Sequence, residues 1–226
     1  MDKNEKVLSC KLSVVLFVVS WVILAGCYFL SKLTAPYFDS INYGQNTKFF
    51  VGIVLCVSWA ATLVIMVLVV YAKFGINLLT NPNTIGRELE TKNLLIVIGL
   101  VMASIFVISA QIGFEVKPFY DLGVKFTGYE LMAKIAVILC NVIKCAWVVI
   151  MMEMVEDFMS HFNKKEIVPY GGIVLMLTAG LFDVAFSFVT LPVTYVLLYL
   201  VYGLIFRITH ESVSKTFLCV VLIYIL

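Results

Sequence analysis

The sequence predicts an all-α membrane protein, a bundle of seven transmembrane helices with its N-terminus in the cytoplasm. Three observations carry that reading. Of 226 residues, 62% are hydrophobic and only 13% charged, whereas soluble domains carry about 25% charged residues. Apolar runs long enough to cross a hydrocarbon core about 30 Å thick recur near 12–30, 49–72, 93–114, 131–152, 168–190, 192–208 and 212–226. Positive charge is distributed unequally between alternate connections, which sets orientation.

The first run follows Lys3, Lys6 and Lys11. It is about twice as long as a signal-peptide core and has no clean cleavage site after it, so it is expected to stay as a span. The second is followed by TNPNTIG, Thr80 to Gly86, an Asn-Pro turn. The third leaves through FEVKPFYDLG, Phe114 to Gly123, and the fourth runs into MEMVEDFMSHF, Met152 to Phe162. Only Thr190, Leu191 and Pro192 join the fifth and sixth, which predicts a tight helical hairpin. The seventh has no polar tail. Tyr37, Phe38, Tyr43, Phe119, Tyr120, Tyr129 and Tyr170 crowd the ends of the runs, as an interfacial aromatic belt would.

With the N-terminus inside, the inner segments hold Lys3, Lys6, Lys11, Lys73, Arg87, Lys92, Lys164, Lys165, Arg207 and Lys215. The outer loops hold Lys32, Lys48, Lys117 and Lys125. The Met152–Phe162 stretch is then cytoplasmic. The loops are too short for a separate module, so residues 1–226 read as one domain, with 1–130 giving the first three spans and 131–226 a four-helix core. A net charge of +2 without a dense basic cluster argues against nucleic acid, and leaves the lipid bilayer as the expected partner. Six cysteines without C-x-x-C spacing support neither a disulfide framework nor a zinc knuckle.

Ionisable residues within a span are costly, so they are the ones to question. Lys134, Asn141 and Lys144 in the fourth run fall at about 0°, 340° and 280° of a helical wheel, with Glu156 at about 40°. They form a polar seam that must face other helices or a cavity. Asp183 lies in the fifth run. It is expected either to pair with a seam lysine, locking two spans together, or to line a polar path for a solute or proton. Beyond the seam, Glu156, Asp157 and His161 share about one and a half helical turns. They read either as interfacial charges paired with Lys164 or Lys165, or as an acid/base or ligand site.

The order of these features resembles the CAAX prenyl proteases and the related bacteriocin-processing and immunity proteins, a family of intramembrane metalloproteases. In that family one core helix ends in E-E-x-x-x-R, the next carries F-x-x-x-H, and the last carries H-x-x-x-N. Here EDFMSH, Glu156 to His161, supplies the first Glu, with Asp157 in place of the second and His161 where the Arg would stand. FDVAF, Phe182 to Phe186, supplies the Phe but places Phe186 where the His belongs. YGLIFRITHES, Tyr202 to Ser212, is similar to the glycine-containing helix and turn. Counting onward puts Cys219 and Ile223 in place of His and Asn. The resemblance implies a site built on Glu156, Asp157 and His161 at the inner surface. The substitutions imply a non-catalytic or weakly catalytic relative that binds peptides or partner membrane proteins in a bacterial plasma membrane. No cofactor is expected, and zinc enters only if the site is active. Two alternatives stay open. One is an active intramembrane metalloprotease. The other is a small-solute transporter or uptake subunit with Lys144, Asn141 and Asp183 along its path.

Overall fold

The computed structural model describes residues 11–26, 29, 33, 47–74, 89–114, 130–160, 168–181 and 192–225, and among these every regular element is helical. The helices are α1 (Lys11–Gly26), α2 (Thr47–Phe74), α3 (Thr91–Gln111), α4 (Glu130–Ser160), α5 (Tyr170–Leu175, continuing through a π-helical turn at Met176–Gly180), α6 (Pro192–Ile208) and α7 (Val213–Ile225). Each falls on one of the apolar runs. Among the described residues α3 alone is long and apolar enough, by length and composition, to cross a membrane. Shorter apolar helical stretches are Lys11–Gly26, Val57–Val69, Tyr170–Gly180, Val196–Ile208 and Val213–Ile225. The Thr190–Pro192 hairpin connection lies largely outside the described residues.

α4 is the axis of the bundle. It packs against α2, α5, α6 and α7, and its consecutive residues Trp147 to Met152 are all buried. A helix buried on every side for a turn and a half has no solvent face there. α3 is the opposite case. Val97, Val101, Ser104 and Ile108 form a buried stripe, while Leu95, Met102 and Phe106 are 64%, 61% and 67% exposed. Both serines of the helix, Ser104 and Ser109, lie on the buried side.

Direction alternates from α4 to α7. Ser13, Val14 and Phe17 of α1 share a groove with Met154, Val155 and Phe158 of α4, and further along Trp21 meets Trp147 edge to face at 5.9 Å. α1 therefore runs antiparallel to α4. α5 and α6 are antiparallel too, with Gly172 against Gly203 at one end and Gly180 against Val196 at the other. A Cβ on Gly172 would lie 2.8 Å from the Gly203 Cα, and one on Gly203 would lie 2.6 Å from the Gly172 Cα. The two backbones touch there, which only glycine permits. Gly171 makes the matching approach to α4, where a Cβ would meet the Met152 carbonyl oxygen at 2.8 Å. Two adjacent glycines thus seat the start of α5 against two helices at once.

The π-helical turn holds a side-chain bond to its own backbone. The Thr178 hydroxyl donates to the Val174 carbonyl at 2.7 Å. A side chain that bonds the carbonyl four residues back competes with the helical ladder and loosens it. Between α6 and α7 the chain reverses through Thr209–Ser212. Glu211 N–H donates to the Phe206 carbonyl and His210 N–H to the Arg207 carbonyl, the paired bonds of a Schellman helix end. The left-handed position usually held by glycine is held by His210, φ 56°, and Glu211 follows at φ 60°.

Candidate functional site

The alternation brings the C-terminal end of α4, the start of α5, the end of α6 and the α6–α7 turn together at one end of the bundle. Glu156 is their meeting point, and it is 3% exposed. Its Oε1 accepts a hydrogen bond from the Gly171 N–H at 2.8 Å. That N–H is one of the first four of α5, which have no acceptor within the helix, so Glu156 caps α5 from another helix. The positive end of the α5 dipole adds to the attraction. The second oxygen, Oε2, lies 2.6 Å from the Arg207 Nη2 as a close ion pair, off the direction of the N–H bonds.

Arg207, in the last turn of α6, does more than neutralise Glu156. Its Nε donates to the Val168 carbonyl at 3.2 Å, which fixes the residues leading into α5. Its Nη1 donates to Glu211 Oε1 across the turn. One guanidinium therefore ties α4, α6, the lead into α5 and the α6–α7 turn. Beside it, the Thr209 hydroxyl donates to the Phe206 carbonyl at 3.0 Å. Thr209 and Thr216 oxygens are 2.8 Å apart, so with the Thr209 proton committed the Thr216 hydroxyl is the donor of that pair. Burial is the strongest influence on Glu156, which lies beyond the apolar run at 131–152, and it pushes the carboxyl above the ordinary range. The Gly171 N–H and the Arg207 charge push back, and Glu211 adds to the rise.

Of the residues singled out from sequence, Glu156 is at the centre of this cluster. Asp157 is exposed on α4, about 100° round the helix from Glu156, so the two carboxylates do not converge. His161 lies outside the described residues, as do Lys164, Lys165, Asp183 and Phe186, and the side chain of Lys134. Asn141 and Lys144 are half-buried. The Lys144 ammonium lies 5.1 Å from the Trp59 ring centre and 5.6 Å from that of Tyr224, within the range of a cation–π attraction. The polar seam is therefore met, at Lys144, by aromatic faces of α2 and α7. Cys219 and His210 are both half-buried.

The residues missed from sequence are Arg207, Glu211 and Gly171. Arg207 was counted only as an inner-surface charge. Two signals pointed to more: it was placed at the same end of the bundle as Glu156, and Glu211 follows it at i+4, where opposite charges meet on a helix. No family model matches this chain, and comparison with curated proteins and with solved structures likewise gave no match.

Proposed function

We propose that this chain is a multi-pass integral membrane protein of seven spans, N-terminus cytoplasmic, and a non-catalytic or weakly catalytic relative of the CAAX-type proteases that binds peptides or partner membrane proteins. The observation that supports the non-catalytic reading is the burial of Glu156, 3% exposed, between a helix N–H and a guanidinium. A carboxylate that activates water must have water within hydrogen-bond reach. Here one oxygen accepts from the Gly171 N–H and the other is ion-paired with Arg207. Glu156 is arranged as a clamp between helices.

The membrane reading is supported by apolar surface that water would not tolerate at this extent. Val22, Leu95, Met102, Phe106 and Leu218 are each more than 60% exposed, far beyond the scattered apolar residues normal on soluble proteins. The backbone contact at Gly172 and Gly203 is also the packing that membrane helices favour, because small residues let them approach closely. A second reading, a small-solute path, draws on the cavity of about 20 Å³ lined by Lys144, Tyr199, Tyr202 and Tyr224. That is room for about one water.

The test joins fractionation to chemistry. The protein should resist alkaline extraction from membranes. Purified in detergent, it should not cleave a farnesylated C-a-a-X peptide and should hold far less than one zinc per chain. Glu156→Gln should leave the host's peptide resistance unchanged. Cleavage that Glu156→Gln abolishes would make it an active protease. Solute uptake lost in Lys144→Met but kept in Glu156→Gln would favour the path.

A further inference from the structure

We propose that the groove between α1 and α4 seats one acyl chain of an anionic phospholipid, with the headgroup at Lys11. This rests on the membrane reading above and names a specific lipid site within it. The groove has a volume of about 170 Å³ and an entirely apolar exposed lining, with Val14 and Phe17 on one wall, Met154, Phe158 and Met159 on the other, and Val174 of α5 at its end. An apolar cavity of about 150 Å³ stays dry and takes up a hydrocarbon such as benzene, so water is not the natural occupant. Two of the lining side chains are methionines, whose flexible thioethers reshape to fit a chain.

The surroundings choose the occupant. The groove is open on one side, and the α1 surface outside it is apolar, with Val15, Val18 and Val22 all more than half exposed. A chain entering the groove continues along hydrocarbon-facing side chains. Lys11, exposed, stands one helical turn before Val14 on the same face, where an ammonium meets a phosphate at the membrane surface. The headgroup is therefore placed on the α1 side of the groove, at Lys11. A neutral detergent tail would have no use for that ammonium.

The experiment uses the full chain in bilayer discs of mixed phosphatidylcholine and phosphatidylglycerol, released into detergent and weighed by native mass spectrometry. One phospholipid should stay bound, with phosphatidylglycerol preferred about fivefold, as one lysine at an anionic surface gives. Val14→Phe and Met159→Phe each fill the groove and should abolish retention, and Val22→Phe, on α1 outside it, should not. Lys11→Gln should keep the lipid and bring the preference close to parity. Equal retention by the two groove-filling variants and the unmutated protein overturns the proposal, as does an unaltered preference in Lys11→Gln. A membrane-embedded protein that retains no lipid sinks the groove alone. Recovery of the protein from cells without detergent sinks the membrane reading with it.

Discussion

Removing Arg207 tests the clamp most directly. Arg207→Gln strands a carboxylate that is almost wholly buried, with the Gly171 N–H as its remaining partner from this network. Breaking a buried pair from one side costs about 3–5 kcal/mol. The Arg207 side chain is 16% exposed and one hydrogen bond survives, so the lower end, about 3 kcal/mol, applies at pH 8. For a chain of this size that is a fall in thermal midpoint of about 6–12 °C. The loss should shrink on acidification, because the stranded carboxyl can take a proton, by up to about 1.4 kcal/mol per pH unit. The sign follows from burial, which raises the folded carboxyl above its unfolded value. Protonated Glu156 therefore favours the fold, and that contribution is lost as pH rises through the folded pKa. Glu156→Gln should be milder, about 2 kcal/mol: its amide oxygen still accepts from Gly171, and Arg207, though it loses the ion pair, keeps the Val168 carbonyl and Glu211. The double variant should recover much of the Arg207→Gln loss, a coupling above about 1 kcal/mol. Thermal unfolding in detergent between pH 5 and 8 measures all three. An Arg207→Gln midpoint within 1 °C of the parent at pH 8, or strictly additive losses, would refute the clamp.

Three further outcomes are expected. Gly203→Ala and Gly172→Ala should each lower stability by about 1–3 kcal/mol or more through backbone overlap. Gly180→Ala, whose nearest neighbour is a Val196 Cα at 3.3 Å, should cost less, and Gly99→Ala, with nothing within 4 Å, should be neutral or stabilising; the same unfolding assay gives the ranking. His210→Gly should raise the midpoint, since a left-handed non-glycine residue costs about 1–2 kcal/mol. Finally, single cysteines at positions 125 and 164, in a background lacking the native ones, should label from opposite faces in intact cells, position 125 alone reacting with an impermeant thiol reagent.

The helices were legible because each apolar run is continuous and bounded by Lys, Pro, Asn or Gly, and the runs match α2, α3, α6 and α7 to within a few residues. α4 continues past the apolar run to Ser160, as the helical spacing read for Glu156 and Asp157 expects, and there Glu156 finds its partners on other helices. Those partners were only faintly signalled. Lys164 and Lys165 are nearer in sequence, and nothing in a linear reading ranks a residue 51 positions away (207 minus 156) above one eight positions away. The paired glycines of YGG at the start of α5 were the available clue to a close approach at Glu156. The inward face of α3 had a weak signal, since Ser104 and Ser109 both lie on its buried side.

The π-helical turn at Met176–Gly180 changes how this region can tolerate insertion and loss of single residues. Such a turn takes one more residue than an α-helical turn does. Elsewhere in a helix, deleting one residue rotates everything beyond it by about 100°, which would swing Gly180 off Val196. Deleting one residue from the π turn instead closes it to an α-helical turn and leaves both flanks in phase. The stretch is a phase buffer. It also separates sequence distance from spatial distance, so that a motif counted through it by α-helical spacing arrives one position out of step with the helix it is meant to face.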